Sequence, residues 1–185
     1  MNALVIYESM YGNTREIAEA IAAGIGDSAD VHLVPTTEAL DALTTNPDLV
    51  VMGGPTHGHG MSRVSTRRAA IETGMKPDSE LRVEPHAEGP GIRDVLGSIK
   101  TLDAHAAAFD TRIPMPAWLS GRAAKGIDRE LRRHGARIVT APESFLVTKE
   151  TQLVAGEAER AREWGVHLAE LCRAYEVTNI RHDMT

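Results

Sequence analysis

Cysteine is nearly absent from this chain: of 185 residues only Cys172 carries a thiol. An intrachain disulfide is therefore excluded, and a reducing, cytoplasmic setting is the expectation. No apolar run approaches the ~20 residues a membrane-spanning helix needs. No basic segment precedes the strand-like residues that begin almost at Met1, so no secretory leader is expected. Positive charge is also in deficit, with 20 Lys and Arg against 26 Asp and Glu and a net charge of −6. That balance argues against nucleic acid and anionic membrane as main partners. Without a Gly-x-Ser-x-Gly elbow there is no serine-hydrolase nucleophile motif. Gly24-Ile25-Gly26 closes a helical pattern and follows no strand, so it is not a dinucleotide fingerprint. There is no internal repeat and no low-complexity segment.

What remains is a chain of 42% hydrophobic residues, long enough to bury a sizeable core as a single domain over 1–185. Strand-like and helix-like segments alternate along it. Ala3–Tyr7, Val31–Val34, Asp48–Met52, Ala104–Phe109 and Arg137–Val147 read as strands, the last interrupted near Pro142-Glu143. Helices are expected after Asn13, whose capping-box spacing to Glu16 marks a start, and over Ser62–Gly74, Ile92–Ile99 and the stretch capped by Ser120. Ala155, Ala158, Trp164, Leu168, Leu171 and Tyr175 line one side of a long final helix, where Trp164 and Cys172 read as packing residues. Pro77–Gly91 reads as a loop, expected to end away from any site. The alternation predicts an α/β fold, a mostly parallel sheet covered by helices on both faces.

In such a sheet, ligands bind outside the carboxyl ends of the strands. Three compositionally odd loops leave those ends. The first, Ser9-Met10-Tyr11-Gly12-Asn13-Thr14, joins strand to helix and gathers backbone amides and hydroxyls at a helix N-terminus, a setting that favours a phosphate. It contains no Lys, unlike a nucleoside-triphosphate loop. The second, Gly53–Met61, holds glycines that let backbone approach a ligand, together with His57 and His59. A His-x-His zinc site is the rival reading, but two imidazoles do not complete a zinc sphere, and no metal is expected. The third, Asp110–Trp118, offers Asp110, Arg112, a Pro-x-Pro element and Trp118, which either caps the core or meets a ligand.

These residues resemble the flavodoxin-like family. Ser9–Thr14 is similar to the flavodoxin phosphate loop, and its Ser-Met-Tyr-Gly wording lies closer still to the FMN-dependent quinone reductases of that superfamily. Gly53–Ser62 looks like the second flavin loop of actinobacterial flavodoxin-family proteins, and Phe109–Arg112 falls where their third flavin loop starts. The resemblance implies a doubly wound sheet of five parallel strands in the order 2-1-3-4-5 and a non-covalent FMN. By that resemblance Ser9, Met10, Tyr11, Gly12, Asn13 and Thr14 hold its phosphate. Pro55, Thr56, His57, Gly58, His59 and Gly60, with Asp110, Thr111 and Arg112, flank its ring. Two positions depart from the pattern. Tyr11 stands where most flavodoxins carry Thr, and the second loop lacks the ring-stacking Trp, leaving that place to His57, His59 or Trp118.

The resemblance implies electron transfer to a redox partner protein, with NAD(P)H:quinone-type reduction or a flavin-free binding module as the alternatives. His57, His59, Arg63 and Arg112 fall in or beside the ring loops, where cations stabilise a reduced anion. A raised reduction potential with pH dependence near the histidine pKa of ~6.5 is the resulting expectation.

Overall fold

A computed structural model describes residues 1–115 and 121–183, with side chains up to Tyr175. Ser120, expected to cap a helix, and Trp118 lie outside the described residues. The sheet is built on β1 (Asn2–Tyr7), β2 (Asp30–Pro35), β3 (Leu49–His57) and β5 (His105–Arg112), in the order β2-β1-β3-β5 and all parallel. The last expected strand is split as its sequence predicts. β6 (Arg137–Ile138) pairs with the start of β5, and β7 (Glu143–Leu146) pairs with its end. Counting that split strand once, the order is the expected 2-1-3-4-5.

The strands bury apolar side chains on both faces, as a parallel sheet clothed by helices requires. On one face lie α2 (Ala39–Leu43), α4 (Ile92–Ser98) and α5 (Ala123–Arg133), packing Ala39, Val95, Leu96, Ile127 and Leu131 against Leu4, Ile6, Val50 and Met52. On the other lie α1 (Asn13–Gly26) and α6 (Glu157–Asp183), packing Ile17, Ile21, Leu168 and Cys172 against Val5, Val51 and Ala107. Among the described residues, no helix is long and apolar enough to cross a membrane.

Several boundaries differ from the sequence reading, each for a packing reason. α2 was not expected at all; it is a five-residue helix that buries Ala39 and Ala42. Gly24 lies inside α1 and does not close it. A Cβ there would overlap the Arg162 carbonyl of α6, and one at Gly165 would overlap the Ile21 carbonyl of α1, so these glycines permit the two helices to cross closely. The capping box also fails. Gly12, at φ +98°, is the N-cap of α1, no side chain caps it, and the Asn13 amide instead donates to the Thr151 carbonyl at 2.9 Å. On α6 the buried face is Ala161, Leu168, Ala169 and Cys172, joined by the half-buried Trp164. Ala155 precedes that helix and is exposed, while Tyr175 is exposed and stacks on His105. Trp164 meets Phe109 and Phe145 edge-on at 6.5 and 6.1 Å, the packing role its position predicts.

α3 (Val64–Gly74) behaves unlike the other helices. Its only buried side chain is Arg67, so it contributes no apolar residue to either face of the core. The Pro77–Gly91 segment then returns, against expectation, to the first loop. Its Glu84 amide donates to the Met10 carbonyl at 2.9 Å, and the Glu84 carboxylate pairs with Arg15 at 3.2 Å.

Candidate functional site

The carboxyl ends of β1, β3, β5 and β7 surround a cavity of about 380 Å3. Ser9, Met10, Tyr11, Asn13 and Thr14 line it from the first loop, Pro55, Thr56, His57, Gly58 and His59 from the second, and Thr111 and Arg112 from the third. Gly12, Gly60 and Asp110, the other expected site residues, do not line it. Gly12 shapes the loop from behind: its amide donates to Ser9 Oγ at 3.1 Å and its carbonyl accepts from the Glu16 amide at 2.9 Å. The first loop is further pinned by the Tyr11 hydroxyl, which donates to the Ala70 carbonyl at 2.6 Å, and by a 2.7 Å contact between the Thr14 and Thr111 hydroxyls.

The second loop is less of a loop than its glycines imply. β3 continues through Gly53, Gly54 and Pro55, which pair with Phe109, Asp110 and Thr111 of β5. It then turns back into β4 (Gly60–Met61), with His57 opposite Gly60. The two residues at the turn, Gly58 and His59, have φ of +50° and +76°, as a type I′ hairpin turn requires. The hairpin tip rests on Gly121, also left-handed at φ +70°, where a Cβ would overlap the His59 backbone. His59→Val should therefore destabilise the protein by about 1–2 kcal/mol, because a β-branched residue is costly at positive φ, whereas His59→Asn should be close to neutral. Chemical denaturation of the two variants checks this; equal stabilities would show that the turn adapts.

Asp110 is fully buried beneath the site. Its Oδ2 accepts the Ala124 amide at 2.8 Å and the Thr56 hydroxyl at 3.1 Å, while Thr56 Oγ1 accepts the Ala123 amide at 2.9 Å. Asp110 and Thr56 thus serve the first amides of α5, the groups a helix cannot satisfy internally. Burial raises the Asp110 pKa, against hydrogen bonds from Ala124, Ser144 and Thr56. Glu8, just past β1, is similarly enclosed. Its Oε2 accepts the Ile92 amide at 2.8 Å, and burial raises its pKa against hydrogen bonds from Ser62 and Ile92 and the charge of Arg67. Arg67 donates to Ser62 Oγ at 3.2 Å and to Asp94 at 2.8 Å, tying α3 and α4 under the loops.

The charge expected beside the site is only partly there. Burial first, and the Arg67 charge second, lower the His57 pKa, which disfavours the cation expected at this ring. The guanidinium of Arg112 donates to the Met115 carbonyl at 2.6 Å. Arg63 does not line this cavity; it faces a second one, which shares His57, Gly58 and His59 as a common wall.

Of the other lining residues, Ile113 and Met115 fall within the third loop without having been assigned a role, while Val147 and Thr151 lie outside all three loops. Thr151 sits at φ +62°, an uncommon conformation for a β-branched residue, and its carbonyl holds Asn13. The signal that could have found it is positional: residues 147–151 leave the carboxyl end of the last strand.

A flavodoxin domain model matches residues 4–72, which contain the first two loops. No curated protein matches the sequence. Among solved structures, the chain is similar to a flavodoxin from the domain Archaea at 20% identity and a TM-score of 0.62, covering 94% of this chain and 99% of that one. It is similar to a flavodoxin, WrbA-like protein from Agrobacterium tumefaciens at 21% identity and 0.59, covering 94% and 98%. Flavodoxin 2 from Bacillus cereus is similar at 19% identity and 0.62, covering 92% and 99%. The fold over the described residues is flavodoxin-like, and the sequence likeness to a flavodoxin domain covers residues 4–72.

Proposed function

We propose that this protein binds FMN in the cavity at the sheet's carboxyl edge and transfers electrons. The observation that carries the reading is the first loop. It places Ser9, Gly12 and Thr14 at the start of α1, whose first-turn amides have no side-chain cap. Uncapped amides, hydroxyls and the positive end of a helix dipole together favour a phosphate without a lysine. The Asn13–Thr151 and Tyr11–Ala70 hydrogen bonds hold that loop from both sides.

FMN would supply the redox chemistry; the chain supplies position and field. Pro55–His59 and Thr111–Arg112 would flank the ring, with His57 and His59 standing where a stacking aromatic is absent from the second loop. Cytoplasmic localisation and a single domain over 1–185 belong to the same reading.

Titration of the purified protein with FMN, followed by flavin fluorescence and visible absorbance, tests it. We expect saturable one-to-one binding, with riboflavin bound at least about tenfold more weakly because it lacks the phosphate. Equal affinity for the two flavins would remove the phosphate loop from the account, and binding of neither would remove FMN. A second reading, an FMN oxidoreductase with a small-molecule acceptor such as a quinone, is favoured by the open cavity adjoining the first. Direct turnover with NAD(P)H and a quinone would distinguish it from a carrier serving a protein partner.

A further inference from the structure

Beside the first cavity lies a larger one, of about 650 Å3. Its wall carries Arg63, Arg93, Arg122, Lys125 and Arg129, and no carboxylate. This is unexpected in a chain of net charge −6. Elsewhere the arginines are largely neutralised: Arg15, Arg132, Arg133, Arg137, Arg160 and Arg162 each pair with an acidic side chain.

The five cations come from three separate parts of the chain: Arg63 just before α3, Arg93 at the start of α4, and Arg122, Lys125 and Arg129 from the N-cap of α5 to past its middle. Two are held in place by neutral groups. Arg93 donates to the Ser62 and Met61 carbonyls, both at 3.1 Å, and Arg122 donates to Ser144 Oγ at 2.9 Å and the Pro142 carbonyl at 2.8 Å. These contacts orient the guanidinium groups without cancelling their charge. Arg63, Lys125 and Arg129 have no salt bridge among the described residues. Like charges gathered in a concave wall repel one another, and concavity focuses their field inward. Apart from the hydrogen bonds of Arg93 and Arg122 and the attraction of Arg122 for buried Asp110, the fold gains little from gathering these charges; an anion placed there would be attracted by all five.

We propose that this cavity binds a compact organic anion carrying two or more negative charges, as a phosphate monoester or a polycarboxylate does. Its concave shape, walled by three separate segments, favours a small molecule over the broad acidic face of a protein. Because His57, Gly58 and His59 wall both cavities, the anion would lie next to any group held in the first. Binding at the second cavity does not depend on the flavin reading; only its use as a reactant does.

Isothermal titration at low ionic strength with pyrophosphate, citrate and uncharged glycerol provides the test. Wild-type protein should bind pyrophosphate or citrate saturably and glycerol not at all; which of the two binds more tightly identifies the phosphate or the carboxylate source. The exposed pair Lys125→Ala/Arg129→Ala should weaken that binding at least about tenfold, while Lys76→Ala, an exposed lysine away from the cavity, should not change it. An FMN titration of each variant, run in parallel, reports the first cavity independently and confirms that the variants are folded. Absence of saturable binding of both anions, or binding unaffected by the double variant, overturns the proposal. So does binding of polyglutamate alone, which would make the surface a docking face for an acidic protein.

Discussion

Gly53→Ala is expected to destabilise the protein by about 3 kcal/mol, through overpacking of a core that has no slack. A Cβ at this position would overlap the ring of Phe109, its cross-strand partner. Phe109 cannot yield, because it is fully buried and faces Phe145 and Trp164 edge-on at 6.3 and 6.5 Å. Denaturant unfolding of a double-mutant cycle is the check. Phe109→Leu alone should be destabilising, but with Gly53→Ala it should cost less than the sum, since the smaller side chain makes room for the new methyl. Strict additivity would mean that the ring is not what excludes a side chain at Gly53.

Asp110→Ala should cost about 2–4 kcal/mol, since it leaves the Ala124 amide and the Thr56 hydroxyl without their acceptor in a buried setting. The melting temperature should fall by about 5–12 °C for a chain of this length. Asp110→Asn keeps an acceptor and removes the charge, so it isolates the electrostatic part. Burial raises the native pKa of Asp110 above its unfolded value, so the native state retains this proton to higher pH. Its contribution to stability is therefore full below the unfolded pKa and is lost as pH rises through the native one. The stability of Asp110→Asn relative to wild type should accordingly improve as pH rises from about 4 toward neutrality. A pH-independent difference between the two would show that the carboxylate is not held against its charge.

Asp110 also illustrates the limit of motif reading. Its place at the carboxyl end of a central strand marks it as a site residue, and so does the family resemblance. Yet its side chain turns beneath the cavity to serve α5. Nothing in residues 110–112 signals this, because the amides it satisfies lie at Ala123–Ala124, on another element. His57 poses the same problem in electrostatic form. Its residue type points to a cation near neutral pH, but enclosure and the nearby Arg67 lower its pKa. The basic cavity was legible only in part. Arg63 stands out beside the second loop, whereas nothing local in the sequence singles out Arg93, Lys125 or Arg129.

By itself, the sequence determined the alternation of the main strands and helices along the chain, though not α2 or β4, together with the split in the last strand and the first loop's position before α1. These follow from local periodicity and from turn chemistry that neighbouring residues dictate. Tertiary structure alone decided that Gly24 and Gly165 mark a helix crossing, that Gly53 makes room for a phenylalanine, and that residues 147–151 complete the cavity wall. It also decided which cations stand without carboxylates. Close approach and unbalanced charge are properties of surfaces brought together from distant parts of the chain, and no local pattern encodes what will face a residue once they meet.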